Sequence, residues 1–332
     1  MLRYITRRLI AAVFLLVLVT AVVFVMFNVL PTGDPAALRA GKNANPEQIE
    51  LIRESYCLDD STLQRFGRYV AGVFTPYQNE ECGVDGPFDF GTSIFQNNEP
   101  VGEIIFDRLP ATIYLVAGAV VLWIAIAIPV GVISAVKRRS LLDRTTMITT
   151  LTFISAPVFW LGLVALYLFA QDIGVIPIFP GSGSYNTASG LLAKGWSLFL
   201  PWVVLALATA AIYARYVRSQ MIDVMSEDYI RTARAKGLPE STVIRRHALR
   251  SAITPVVTLL GLDVGVLLAG NAILTESVFN IPGVGKELVT AIGQSDYALI
   301  QGIVLFGAFF IIIFNLIVDI AYAYLDPRVR YQ

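Results

Sequence analysis

The chain has 332 residues, 56% hydrophobic and 15% charged, whereas a soluble globular domain carries about 25% charged residues, so most of it cannot be a water-soluble fold. Lys and Arg number 25 and Asp and Glu 25, a net charge of zero that leaves no global basic field for nucleic acid. A single His and two Cys exclude zinc-finger, Cys-rich and metalloprotease readings for want of ligands.

Apolar runs long enough to cross roughly 30 Å of hydrocarbon at about 1.5 Å per residue fall at residues 9–30, 109–136, 145–170, 198–214, 252–274 and 300–325. They predict an all-α polytopic membrane protein of six transmembrane helices, and an even count puts both termini on one side. The first run follows Arg3, Arg7 and Arg8 and exceeds the ~7–15 apolar residues of a secretory signal, which makes it an uncleaved anchor. With the amino terminus placed in the cytoplasm, 17 of the 25 basic residues fall inside and 17 of the 25 acidic residues outside, as the positive-inside rule requires. The chain then divides into an amino terminus and first span (1–30), an extracytoplasmic segment (31–108), a five-helix core (109–325) with a cytoplasmic loop at 215–250, and a cytoplasmic tail (326–332).

The 31–108 segment holds 6 basic and 13 acidic residues, too polar for lipid and too long for a turn. Asn45-Pro46 opens a helix there, and Ser61 caps another in which Leu63, Phe66, Val70 and Val73 recur at helical spacing. Cys57 and Cys82, the only cysteines, both fall in this segment, and an oxidising compartment favours a disulfide between them. Gly, Asn and Pro cluster at 176–190 and 280–285 and mark the other two outer loops.

Catalytic motifs fail one by one. Gly283-Val284-Gly285-Lys286 looks faintly like a phosphate loop, but Asn280 stands where its first Gly belongs and Glu287 replaces Ser/Thr. There is no His-Glu-x-x-His and no Gly-x-Ser-x-Gly, and Gly261-Leu262-Asp263 lacks the second Gly of an intramembrane aspartyl protease. The chain is therefore expected to bind no cofactor or metal and to hydrolyse no ATP itself.

The informative stretch is 226–250. Ser226 is a candidate N-cap, Glu227 and Asp228 suit the positive end of a helix, Arg234 and Lys236 suit the negative end, and Gly237 stands where a left-handed stop is wanted. Pro239 opens a second helix leading into the fifth span. On pattern alone two readings stay open: a lever that passes force to a cytoplasmic partner, or an ordinary solvated connector.

At this stretch the sequence resembles the inner-membrane permeases of dipeptide and oligopeptide ABC importers, and specifically the first of their two permease subunits. The match runs through Tyr229, Arg231, Thr232, Ala233, Ala235, Lys236, Gly237, His247, Ala248, Leu249 and Arg250. Arg108-Leu109-Pro110-Ala111-Thr112, Ser155-Ala156-Pro157-Val158-Phe159-Trp160, Glu276-Ser277-Val278-Phe279, Ile281-Pro282-Gly283-Val284-Gly285 and Leu325-Asp326-Pro327-Arg328-Val329-Arg330 extend it over nearly the whole chain. Around Cys57 and from Tyr77 to Val84 the chain departs from the family pattern. The resemblance implies a subunit in the bacterial cell membrane that pairs with a homologous permease, two ATPase subunits carrying ATP and Mg, and an extracytoplasmic peptide-binding protein. Its loop helix docks on one ATPase, where the small Ala233 and Ala235 allow close approach. Similar permeases import nickel, glutathione and some sugars, so cargo stays open within the architecture.

Two acidic residues lie in apolar runs. Asp263 is 12 residues into the fifth run, about 18 Å deep at ~1.5 Å per residue, where a charge costs at least ~2.5–3.5 kcal/mol without a partner or water. It either lines the pathway or bonds a neighbouring span. Gly261, Gly265 and Ala269 make one small face for helix packing. Asp319 in the sixth run is expected to bond a neighbouring helix, and His247 to serve structure or the ATPase contact. Glu276 and Phe279, at the outer end of the fifth run, are candidates for an outer gate, a binding-protein contact or simple loop anchoring. A protease using Asp263 and Asp319 is the remote alternative.

Overall fold

The first apolar run becomes α1 (Leu2–Asn28) in a computed structural model that describes residues 2–29, 34, 36–37, 45–75, 77–79, 82, 84–85, 89–96 and 98–325. The tail at 326–332, with Asp326-Pro327-Arg328-Val329-Arg330, lies outside the described residues. Asn45 starts α2 (Pro46–Ser55): its side chain accepts from the Gln48 N–H (2.8 Å) and its own N–H donates to Gln48 Oε1 (3.0 Å), a reciprocal cap completed by Pro at the first helical position. α3 (Thr62–Phe74) follows Ser61. Two short antiparallel ladders follow that the hydropathy pattern does not announce, β1 (Gln78–Asn79) with β2 (Val84–Asp85) and β3 (Thr92–Ser93) with β4 (Glu99–Pro100).

Apart from single turns at Ser184–Thr187 and Glu240–Thr242, the remaining α-helices are α4 (Val101–Val136), α5 (Leu141–Ser155), α6 (Val158–Phe169), α7 (Leu191–Met225), α8 (Asp228–Ala235), α9 (Leu249–Val266), α10 (Ile273–Val278), α11 (Val284–Gln294) and α12 (Tyr297–Leu325). Wider, π-wound stretches at Val243–Ala248 and Leu267–Asn271 precede and follow α9. Among the described residues five helical stretches are long and apolar enough to cross a membrane, and the bent pair α5–α6 makes a sixth when it counts as one span. The third run is thus not the single helix expected, because α5 and α6 meet at 101°. Pro157 has no N–H to give and disfavours helical geometry at the residue before it, and Ala156 (ψ 126°) and Pro157 (ψ 136°) are both extended.

Packing divides the chain into two units, Met1–Thr112 with Gly265–Ile273 and Pro282–Leu316, and Ile113–Val264 with Leu274–Ile281 and Ile317–Gln332. In the first, Val73, Phe90, Val101, Ile104, Ile105, Leu299, Ile303 and Phe306 form a buried core. Phe66 meets Phe24 of α1 edge-on at 5.3 Å, whereas Leu63, on the same apolar repeat, is 80% exposed. Cys57 and Cys82 are disulfide-bonded with Cα atoms 5.2 Å apart. Arg108 pairs with Glu287 (3.2 Å), and Ser93 donates to the buried carboxylate of Asp296, which in turn accepts the Leu299 N–H at 3.2 Å.

In the second unit α7 packs against α5 and α6. Trp123 of α4 is fully buried and lies 5.6 Å from the ring of Tyr213 of α7. Gly261 of α9 works by close approach, since a Cβ there would lie 1.9 Å from Val318 Cγ2, the contact a small-residue face permits. Gly183 donates to the Phe279 carbonyl (2.9 Å) and Ser182 to that of Val278 (3.3 Å), latching the 176–190 loop to the end of α10.

Candidate coupling site

α7 does not stop at residue 214, where the apolar run ends, but continues to Met225 because no breaker intervenes. Ser226 therefore closes α7 rather than opening α8: its hydroxyl donates to the Asp223 carbonyl (2.7 Å), and Glu227, in extended geometry, is the N-cap of α8. Gly237 takes φ +77°, a left-handed conformation that costs glycine nothing. Across this turn Arg234 grips Glu240 with two hydrogen bonds, Nη2 to Oε1 at 2.7 Å and Nε to Oε2 at 3.1 Å. That bond lowers the Glu240 pKa and raises that of Arg234. Both side chains are substantially exposed (39% and 52%), so the pair sets the angle of the turn and adds at most ~0.2–1 kcal/mol.

α8 rests on the π-wound stretch Val243–Ala248 through Ile230, 0% exposed, and Ala233, 7% exposed. Ala233 thus faces into the loop's own packing and not outward as its small size suggested; a bulky charge there would unseat α8 before it met any partner. Tyr229, Arg231, Thr232, Ala235 and Lys236 form the exposed face, with Arg250 exposed and His247 half-buried nearby in sequence.

The structure adds two residues that no motif marks. Asp143, 4% exposed at the start of α5, receives the Arg218 guanidinium in a fork, Nε to Oδ1 at 2.7 Å and Nη2 to Oδ2 at 2.9 Å. The Ser134 hydroxyl of α4 also donates to Oδ1, and the Arg139 N–H donates to Oδ2 at 2.9 Å. Four donors match the acceptor capacity of one carboxylate. The cluster ties the end of α4, the turn after it and the start of α5 to α7, at a point eight residues before Ser226, about 12 Å along the helix. Ser140, whose Oγ accepts the Asp143 N–H at 3.2 Å, was the one readable sign, an N-cap with an acid at the third position. The partner across 75 residues left no sequence signal.

Asp263 is half-buried and accepts a hydrogen bond from the Tyr213 hydroxyl at 2.6 Å. Glu276 and Phe279 are 0% and 3% exposed. Asp319 is half-buried on α12.

Residues 127–331 match the family described as the inner membrane component of binding-protein-dependent transport systems, and residues 1–116 match the N-terminal part described for the same membrane components. The chain belongs to this family. Glutathione transport system permease proteins (GsiC) from Salmonella paratyphi A and Escherichia coli are 38% and 37% identical to it, and a dipeptide transport system permease protein (DppB) from Alkalihalophilus pseudofirmus 36%, each aligned over 100% of both chains. As an inner-membrane transport component it is a multi-pass membrane protein of the ABC importer type, and the protease reading falls away. The glycine-rich segment has a structural use in this transport component: the Val284 N–H, which a phosphate loop would aim at a phosphate, is taken by Thr112 Oγ1 at 2.9 Å.

Proposed function

We propose that the chain is the first of two homologous permease subunits of a bacterial ABC importer for di- and oligopeptides, and that the loop 226–250 docks on one of two partner ATPases. The observation that carries this is the loop: a short helix with an exposed face of Tyr229, Arg231, Thr232, Ala235 and Lys236, held at a fixed angle by Gly237 and the Arg234–Glu240 fork. Glutathione is itself a tripeptide, so the glutathione and dipeptide names of the full-length relatives converge on one class of cargo.

In this reading both termini are cytoplasmic, 31–108 faces the extracytoplasmic binding protein, and 109–325 forms half of the translocation pathway. ATP and Mg2+ act on the partner ATPases, and this chain has no ATP site. When the ATPases close, α8 is pushed, and the Arg218–Asp143 fork carries the displacement from α7 into α5. The spans then rock between inward-open and outward-open states. ATP-dependent uptake by the reconstituted complex tests the cargo. Labelled dipeptides, tripeptides and glutathione are expected to enter in competition with one another; a complex driven only by a non-peptide solute would overturn the reading.

Asp263 is the candidate pathway carboxylate. Asp263→Asn keeps an acceptor for Tyr213 while removing the charge that would meet a peptide ammonium. Uptake is expected to fall about tenfold, the equivalent of ~1.4 kcal/mol, with the complex fully assembled. Unchanged uptake would assign Asp263 to fastening α7 alone.

A further inference from the structure

We infer that a groove in the second unit, bounded by α4, α5 and α7, binds the backbone of an extended peptide during its passage. The inference rests on the peptide-import reading above. The groove encloses about 260 Å3, walled by Thr145, Thr146, Thr149 and Thr150 of α5, with Ala211 and Ala214 of α7 in its floor. Those threonines recur at i, i+1, i+4 and i+5, which is one side of a helix. The opposite side of α5 exposes Ile148 and Leu151 at 65% and 53%. In this reading Ile148 and Leu151 face lipid, while Thr146 and Thr149 face the groove.

Two of the hydroxyls are committed: Thr145 donates to the Leu142 carbonyl (3.1 Å) and Thr150 to that of Met147 (2.9 Å). Thr146 and Thr149 make no such bond among the described residues, leaving two hydroxyls available at the groove. A hydroxyl both donates and accepts, so it can meet a peptide N–H or C=O equally and reads no side chain. Among the described residues no charged side chain lines the groove. Such a surface holds cargo weakly enough to release it, as conduction through a passage requires. The alanine floor leaves room for cargo side chains of differing size.

Thiol labelling read on this chain tests it directly, because Cys57 and Cys82 are paired and the chain itself gives no free-thiol background. In vesicles carrying the full complex, Thr149→Cys is expected to react with a membrane-impermeant maleimide and to be protected by excess alanine tripeptide, whereas Ile148→Cys on the lipid side should stay unreactive. The isosteric double substitution Thr146→Val/Thr149→Val should lower tripeptide uptake by about fivefold or more for two lost hydrogen bonds, with ATP hydrolysis still stimulated by loaded binding protein. If the wild-type complex imports the tripeptide but Thr149→Cys is unreactive, or the double variant transports at the wild-type rate, the groove proposal is overturned. A wild-type complex that imports no peptide overturns the cargo reading instead.

Discussion

Arg218→Met is expected to destabilise the permease by about 3–5 kcal/mol, the cost of leaving a buried charge without its partner. Asp143 is 4% exposed and would retain only Ser134 and the Arg139 N–H as donors. Arg218→Lys should fall between, since an ammonium keeps the charge but cannot form the fork. The double substitution Asp143→Leu/Arg218→Met should recover most of the loss, because an apolar pair of similar size removes the desolvation cost along with the attraction. Thermal unfolding of the purified complex reads all three. An Arg218→Met midpoint equal to the wild type would show that water or another donor replaces the guanidinium at no cost.

Gly237→Val is expected to abolish coupled transport. No atom of the described residues lies within 4 Å of the position its Cβ would take, yet φ is +77°, so the penalty is one of backbone conformation: about 1–2 kcal/mol for an L-residue, and more for a β-branched one. The chain relieves that strain by leaving the left-handed region, which swings α8 away from its seat on Val243–Ala248 and opens the Arg234–Glu240 fork. The complex should still assemble, since Gly237 lies outside every span, but uptake per ATP hydrolysed should drop at least tenfold. Gly237→Asn, which tolerates positive φ, should stay coupled. Normal uptake per ATP in the Val variant would make the loop a passive connector.

The amino-acid sequence alone shows where the chain meets lipid, because an apolar run of about 20 residues has no other stable environment. It also determined features written within a few residues of one another. The Asn45-Pro46 cap and the Gly237 stop are of this kind: each depends on local hydrogen bonds or on a single φ angle. Local signals ran out where neighbours compete. Ser226 has the right chemistry for an N-cap, but α7 extends far enough to use it as a terminus instead. Proline could not locate the break in the third span either, since Pro201 and Pro255 lie inside helices that continue while Pro157 separates α5 from α6; neighbouring packing decides which helix is interrupted.

Folding settles which distant residues join. Asp143 meets Arg218, Tyr213 meets Asp263, and Ala233 turns inward although its composition suits either face of α8. Each is a matter of which surfaces the folded helices bring together, and a pairing across 50 or 75 residues leaves no trace in the periodicity of either helix, because one polar residue on an otherwise apolar stripe reads the same whether it faces a partner, water or cargo.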